Sequence, residues 1–241
     1  HAQTLGFLVG ELVRRVDGRT IGAFLRDEIA GPLGADVWIG LPEDQHHRVA
    51  SLVMGDPDAA SAFYRKLTTE PDWYGVKLIT NGGGQVSDKR RLYGAELPAH
   101  GGIANARALA RIYAPLALDG SVDGVRLVAP QRLAGMRTTR AASDCDLVLR
   151  LRTTFTLGYS KSWGARSLGP GSHVILGEHA FGTPGLGGSI GFADGSARMS
   201  FGYVMNRHGG GVGLNDRGQS LVDAAYRCLG FSSSEPGYWT R

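Results

Sequence analysis

Residues 181–194 read F-G-T-P-G-L-G-G-S-I-G-F-A-D, and M-S-F-G-Y-V-M-N-R follows at 199–207. Short apolar runs with strand composition flank a glycine-dense turn, and a second turn is signalled at Asp194-Gly195. Phe192 through Val204 therefore read as an antiparallel hairpin. Taken alone, G-T-P-G-L-G-G reads as a tight turn entering a strand.

The rest of the chain supplies helices on both sides of that hairpin. Apolar residues recur at helical spacing over 5–16, with Gly18 as a stop. A second helix is predicted over Thr20–Ile29, ending before Gly31-Pro32, where proline and glycine break the pattern. Residues 34–42 read as a connector holding Trp38. Residues 44–98 read as short helices and loops, with a glycine run at 82–84. A helix over Asn105–Leu118 turns Leu109, Ile112, Tyr113 and Leu116 inward, and a short one covers Pro130–Arg137. Thr153–Ser160 has strand composition. Asp216–Leu229 reads as a final helix, with Asn215 or Asp216 as cap and Gly230 as terminator. The tail 231–241 is expected to be loose. Helices first, then strands, then one terminal helix make an α+β chain. It divides into a helical region over 1–150 and the sheet with its terminal helix over 151–230.

Composition narrows the function. The chain has 241 residues, 37 glycines and a formal net charge of +4. Its charges are interspersed, so no basic tract marks a nucleic-acid groove. No apolar run approaches the roughly 20 residues of a membrane helix. Cys145 and Cys228 alone make neither a disulfide framework nor a metal site. His46, His47, His173, His179 and His208 lack metal-ligand spacing and read as surface or loop residues. No signal peptide is present in these residues, which says little of the compartment; it stays unknown, with the cytoplasm favoured over the alternatives. His1 is not an initiator methionine, so the natural N-terminus is expected upstream.

Four blocks in order resemble the class C β-lactamase-related family, which includes penicillin-binding-like esterases and D-aminopeptidases. They are G-F-L-V-G-E-L-V-R-R-V-D-G-R-T at 6–20, E-I-A-G-P-L-G-A-D-V-W-I-G-L-P at 28–42, L-P-A-H-G-G-I-A-N-A-R-A-L-A-R-I-Y at 97–113, and the segment 181–194. The resemblance is nearest to the bacterial esterase-like branch. It implies a β-lactamase/transpeptidase-like fold and an acyl-serine hydrolase that needs no cofactor.

The family mechanism uses a Ser-x-x-Lys nucleophile motif, a tyrosine motif and a third motif on a strand edging the site. The third is matched by Thr183-Pro184-Gly185. Threonine stands where the family has Lys or His, so a hydroxyl donor replaces a cation. Gly185 keeps the strand clear for substrate, and Leu186 would give a backbone N–H to an oxyanion hole. His100 has two readings, a polar contact on the pocket wall or an ordinary loop histidine.

The nucleophile motif is not in these residues. The four lysines, 66, 77, 89 and 161, are preceded at the third position by Phe63, Tyr74, Val86 and Gly158. Ser160 and Lys161 are adjacent on a strand and face opposite ways. Asp144 and Asp194 have no histidine relay, which excludes a Ser-His-Asp triad. The resemblance places the nucleophile, its lysine and the tyrosine on a preceding segment or a second chain, with His1 following the tyrosine. Two functions follow: the C-terminal part of a serine hydrolase for small esters or amides, inert alone, or a non-catalytic binding protein that retains the fold.

Overall fold

The computed structural model describes residues 4–53, 55, 62–80, 89–169, 171–233 and 237–241. The expectations for His1 and for the glycine run at 82–84 lie outside the described residues.

Helix α1 spans Thr4–Asp17, and Gly18, at φ +89°, ends it. The helix rests on its small residues. A Cβ on Gly6 would stand 2.4 Å from the Ala99 nitrogen. Its large side chains are uncovered: Leu5, Phe7, Leu8, Leu12 and Val16 are each more than half exposed.

Thr20 caps α2 (Ile21–Phe24) by accepting from the Ala23 N–H. The chain then widens into a π-helical turn, Leu25–Ala30, and continues as α3, Gly31–Leu33. The predicted stop before Gly31-Pro32 is therefore displaced to Gly34, which is left-handed at φ +61°. The π turn carries the Gly31 N–H back to Arg26 O, and this changed register admits a proline that an unbroken α-helix would reject.

The connector is more regular than its composition suggests. Strand β1 (Val37–Ile39) pairs antiparallel with β2 (Gly102–Ala104). Between them lie a 3₁₀ turn at Glu43–Arg48 and the short helices α4 (Ala62–Thr69), α5 (Tyr74–Thr80) and α6 (Lys89–Gly94). Helix α7 runs Ala106–Ala117, with the Asn105 side chain accepting from the Ala108 N–H. A small hairpin, β3 (Ser121–Val122) with β4 (Val125–Arg126), leads to α8 (Pro130–Arg137).

The sheet begins earlier than residue 151. Strand β5 (Ala141–Ser143) pairs with β6 (Thr153–Phe155). Ser160 bridges Phe155 to Gly182, joining that pair to β7 (Phe181–Pro184), β8 (Ile190–Asp194) and β9 (Met199–Tyr203), which are antiparallel in that order. The expected strand over 153–160 is broken because Gly158 turns at φ +88°. The turn at Asp194-Gly195 is longer than two residues: Asp194 pairs with Met199, and its Oδ1 accepts from the N–H groups of Ser196 and Ala197.

Side-chain alternation gives the sheet two buried faces. Phe181 and Ala193 pack with Leu116, Ala117 and Leu133 beneath α7 and α8. Ile190 and Phe192 pack on the other face with Val222 and Tyr226 of α9, Asp216–Cys228. The row Thr183–Gly191–Gly202 runs across all three strands on the α7 side. A Cβ on Gly191 would stand 2.4 Å from the Tyr113 ring, and one on Gly202 2.4 Å from Ala106 O. The two glycines let α7 lie directly on the strands.

The tail is a correction. Strand β10 (Ser232–Ser233) pairs with β11 (Trp239–Thr240), and Trp239 is 2% exposed. Its ring stacks on Tyr226 at 5.7 Å, and its indole N–H donates to Asp223 Oδ1 at 3.1 Å. A large aromatic with a hydrogen-bond partner draws the chain end into the core.

Candidate active site

Strand β7 delivers the third-motif residues to one end of the sheet. Thr183 pairs with Gly191 and is exposed. Two residues earlier on the same face, Phe181 meets Tyr159 edge-on at 5.2 Å, and Tyr159 meets Tyr113 at 6.1 Å. Burial pushes both phenols up, that of Tyr113 further by the neighbouring Tyr159. Neither tyrosine ionises near neutrality, so they wall the strand as neutral aromatics and supply no phenolate base.

After Pro184 the chain makes a tight turn. The Gly188 N–H donates to Gly185 O at 3.0 Å, and the Gly185 N–H donates to Ser189 O at 2.7 Å. Gly187 has φ +88°, while Leu186 is not among the positive-φ residues. Those values define a type II turn, whose third position selects glycine. Leu186 occupies its second position, 47% exposed, and among the described residues its N–H has no acceptor. Gly185 has a further steric reason: a Cβ there would fall 2.3 Å from Ser189 Oγ.

The turn is clamped from behind. Gly187 O accepts from Gly209 N–H at 2.8 Å and from Asn215 Nδ2 at 2.9 Å. The Asn215 Oδ1 meanwhile accepts from the Gly218 N–H at 3.0 Å, capping α9. One side chain thus fixes both a helix start and the turn holding Leu186. The sequence shows Asn215 only as a cap, because its second partner is 28 residues away.

His100 lies in the loop that precedes β2. It is exposed, its N–H donates to Leu97 O at 3.2 Å, and it enters β2. Among the described residues no hydrogen bond or ion pair joins it to β7 or β8. Its neighbours Pro98 and Ala99 instead form the seat of α1.

Two of the histidines read as surface or loop residues lie in loops but are partly or wholly covered. His173 is 5% exposed, with Nδ1 bonded to Gly169 O. Burial depresses its pKa against the opposing effect of that bond. His208 packs its ring on Gly187, and burial depresses its pKa as well. Single-residue patterns carry no signal for either, since His173 is buried and His208 partly covered by segments distant in sequence.

Asp194 is a core residue. Tyr226 Oη donates to its Oδ2 at 2.7 Å and accepts from the Gly177 N–H at 2.8 Å. Among the described residues no three His, Cys, Asp or Glu side chains gather to hold a metal, and no helix is long and apolar enough to cross a membrane. A cavity of about 370 Å³ lies away from the turn, beside Trp163, Leu168 and Tyr238.

A family model described as beta-lactamase matches residues 1–226. The chain is 34% identical over 230 residues to the esterase/beta-lactamase LipL of Mycobacterium tuberculosis, covering 89% of this chain and 51% of that protein. It resembles the crystal structure of a penicillin-binding protein homolog from Caulobacter crescentus, with TM-score 0.74 and 33% identity, over 93% of this chain and 57% of that one. A family VIII carboxylesterase matches with TM-score 0.71 and 33% identity, over 95% and 57% of the two chains. The chain thus spans about half the length of these relatives. With its helices packed on both faces of an antiparallel sheet and a family match over nearly its whole length, the chain belongs to the beta-lactamase family and has the α+β fold of the β-lactamases and transpeptidases.

Proposed function

We propose that this chain is one wall of the active site of a serine esterase that works through an acyl-serine intermediate. The carrying observation is the Leu186 N–H, without an acceptor among the described residues, on a half-exposed residue at the end of β7 in a turn clamped from behind. The nucleophilic serine, its lysine and the tyrosine would come from a preceding segment or a second chain. The uncovered apolar side chains of α1 support that reading, since they offer such a segment a surface to bury. So does the length of the relatives, one named an esterase/beta-lactamase and another a carboxylesterase.

The serine Oγ would attack the ester carbonyl carbon and pass its proton to the lysine–tyrosine pair. The negative charge developing on the carbonyl oxygen would be held by the Leu186 N–H and the serine's own N–H. Collapse expels the alcohol with a returned proton, and water then hydrolyses the acyl-serine. Thr183 favours neutral esters over β-lactams, because a hydroxyl cannot pair with the β-lactam carboxylate as a cation does. Amides are the harder alternative substrate.

Leu186→Pro tests the donor directly. Proline is favoured at the second position of a type II turn, so the substitution removes the N–H while keeping the geometry. In the complete enzyme kcat should fall about 10²–10³-fold. Unchanged turnover of a p-nitrophenyl ester would exclude the role.

The lack of Ser-x-x-Lys among these residues favours a second reading, a binding protein that retains the fold without chemistry. Fluorophosphonate labelling followed by intact-mass spectrometry separates the two. Label on a co-purifying or preceding segment supports the esterase. Absence of label from the complete protein supports the binder, and label on this chain overturns the motif assignment.

A further inference from the structure

The clamp on the turn includes one titratable side chain. His208 lies in the loop between β9 and α9, anchored by its own N–H donating to Val53 O at 2.9 Å. A Cβ built on Gly187 would stand 2.7 Å from its Cγ and 2.9 Å from both Cδ2 and Nδ1. Three near-equal distances mean that the imidazole lies face-on against Gly187. No L side chain fits between them.

One atom of the ring is unsatisfied, as is Nδ1 of His46 elsewhere in the fold. The His208 Nδ1 is buried with no hydrogen-bond partner among the described residues. An unpaired buried polar atom typically costs about 1–3 kcal/mol, and an apolar side chain would fill this space without that cost. Packing alone therefore gives no reason for histidine here. In the neutral ring the cheapest arrangement leaves Nδ1 as a bare lone pair and carries the proton on Nε2. Protonation would add an N–H at Nδ1 in the plane of the ring, with no acceptor for it among the described residues, and would place a charge on the ring that lies against Gly187. Gly187 meets the ring, Val53 and Gly55 meet the backbone of His208, and Asn215 joins the same turn at Gly187 O; none of these four is ionisable. Arg207 beside His208 and Arg217, whose Nη2 donates to Arg207 O at 2.8 Å, are the neighbouring cations.

We propose that His208 is a positioning residue for the turn that presents the Leu186 N–H: its neutral ring holds Gly187 in the type II geometry, and protonation releases it. The proposal rests on the assignment of Leu186 as the oxyanion donor, and it adds an acid-sensitive element to that site.

Two measurements test it. In the 241-residue chain, the backbone amide resonances of Leu186 and Gly187 are followed from about pH 8 to about pH 5 together with the His208 ring signals. The amide shifts should move with the midpoint of the His208 ring and become flat in His208→Gln and His208→Met. Flat Leu186 and Gly187 shifts while His208 titrates would overturn the coupling.

In the complete enzyme acting on p-nitrophenyl acetate, His208→Gln should lower kcat about tenfold with KM unchanged, and it should remove the acidic limb of the kcat profile. The Leu186→Pro variant keeps the two claims apart. If it retains full kcat, the oxyanion assignment fails, and this proposal with it. If it loses kcat while both His208 variants keep the wild-type rate and pH profile, only the positioning role fails.

Discussion

The side-chain amide of Asn215 donates to Gly187 O at 2.9 Å while its oxygen caps helix α9 at the Gly218 N–H. The candidate oxyanion turn and the last helix are thus tied through a single residue. Asn215→Ala removes both bonds and should cost about 2 kcal/mol, at the upper end for a lost cap. Asn215→Asp keeps the cap but turns an acceptor toward Gly187 O. It should therefore lower the urea midpoint while leaving the α9 helical signal intact. A wild-type midpoint in Asn215→Asp would show that the clamp contributes nothing.

Gly202 permits the closest approach of α7 to the sheet. An added methyl would meet Ala106 O at 2.4 Å and Ala110 N at 2.6 Å. Both are backbone atoms of a helix, which cannot step aside as a side-chain end does. Gly202→Ala should lose about 1–3 kcal/mol by overpacking, read as a lower denaturation midpoint at unchanged slope.

The C-terminal strand belongs to the core. Trp239→Ala removes a 2%-exposed ring stacked on Tyr226 and leaves Asp223 without one of its donors. A loss of about 3–5 kcal/mol is expected. A near-neutral effect on the melting temperature would mean that residues 237–241 contribute little to folding.

Stability should fall on mild acidification. His173 and His208 have pKa values depressed by burial. Between those values and the unfolded value of about 6.5, the unfolded chain binds protons that the folded chain does not. Their stabilisation is complete above that unfolded value and is lost as pH falls through the folded ones. The urea midpoint should be lower near pH 5 than near pH 7.5, and His208→Gln should reduce the difference. At lower pH Asp223 acts in the same direction. Burial raises its carboxyl, but the Arg166, Gln219 and Trp239 hydrogen bonds outweigh burial and hold it below the ordinary range. Equal midpoints at both pH values would exclude the histidine contribution.

Local patterns were enough for the elements whose causes are local. The spacing of Leu109, Ile112 and Leu116 set α7, Asn105 began that helix, Asn215 or Asp216 marked the start of the last one, Asp194-Gly195 marked the hairpin over 192–204, and the four blocks in order marked the family. Those signals lie within one turn of the backbone they shape, so they can be read directly from the amino-acid order. Other features need residues that meet only after folding. Trp239 became core because Tyr226 and Asp223 receive it. Gly31-Pro32 stayed helical because the preceding turn widened. His208 came to lie on Gly187 because the loop after β9 folds back over the β7–β8 turn. The sequence by itself determined the elements whose signals are local, and the family; tertiary packing alone decided which polar groups are left without partners among the described residues, and the Leu186 N–H and the His208 Nδ1 are where that decision bears on the proposed function.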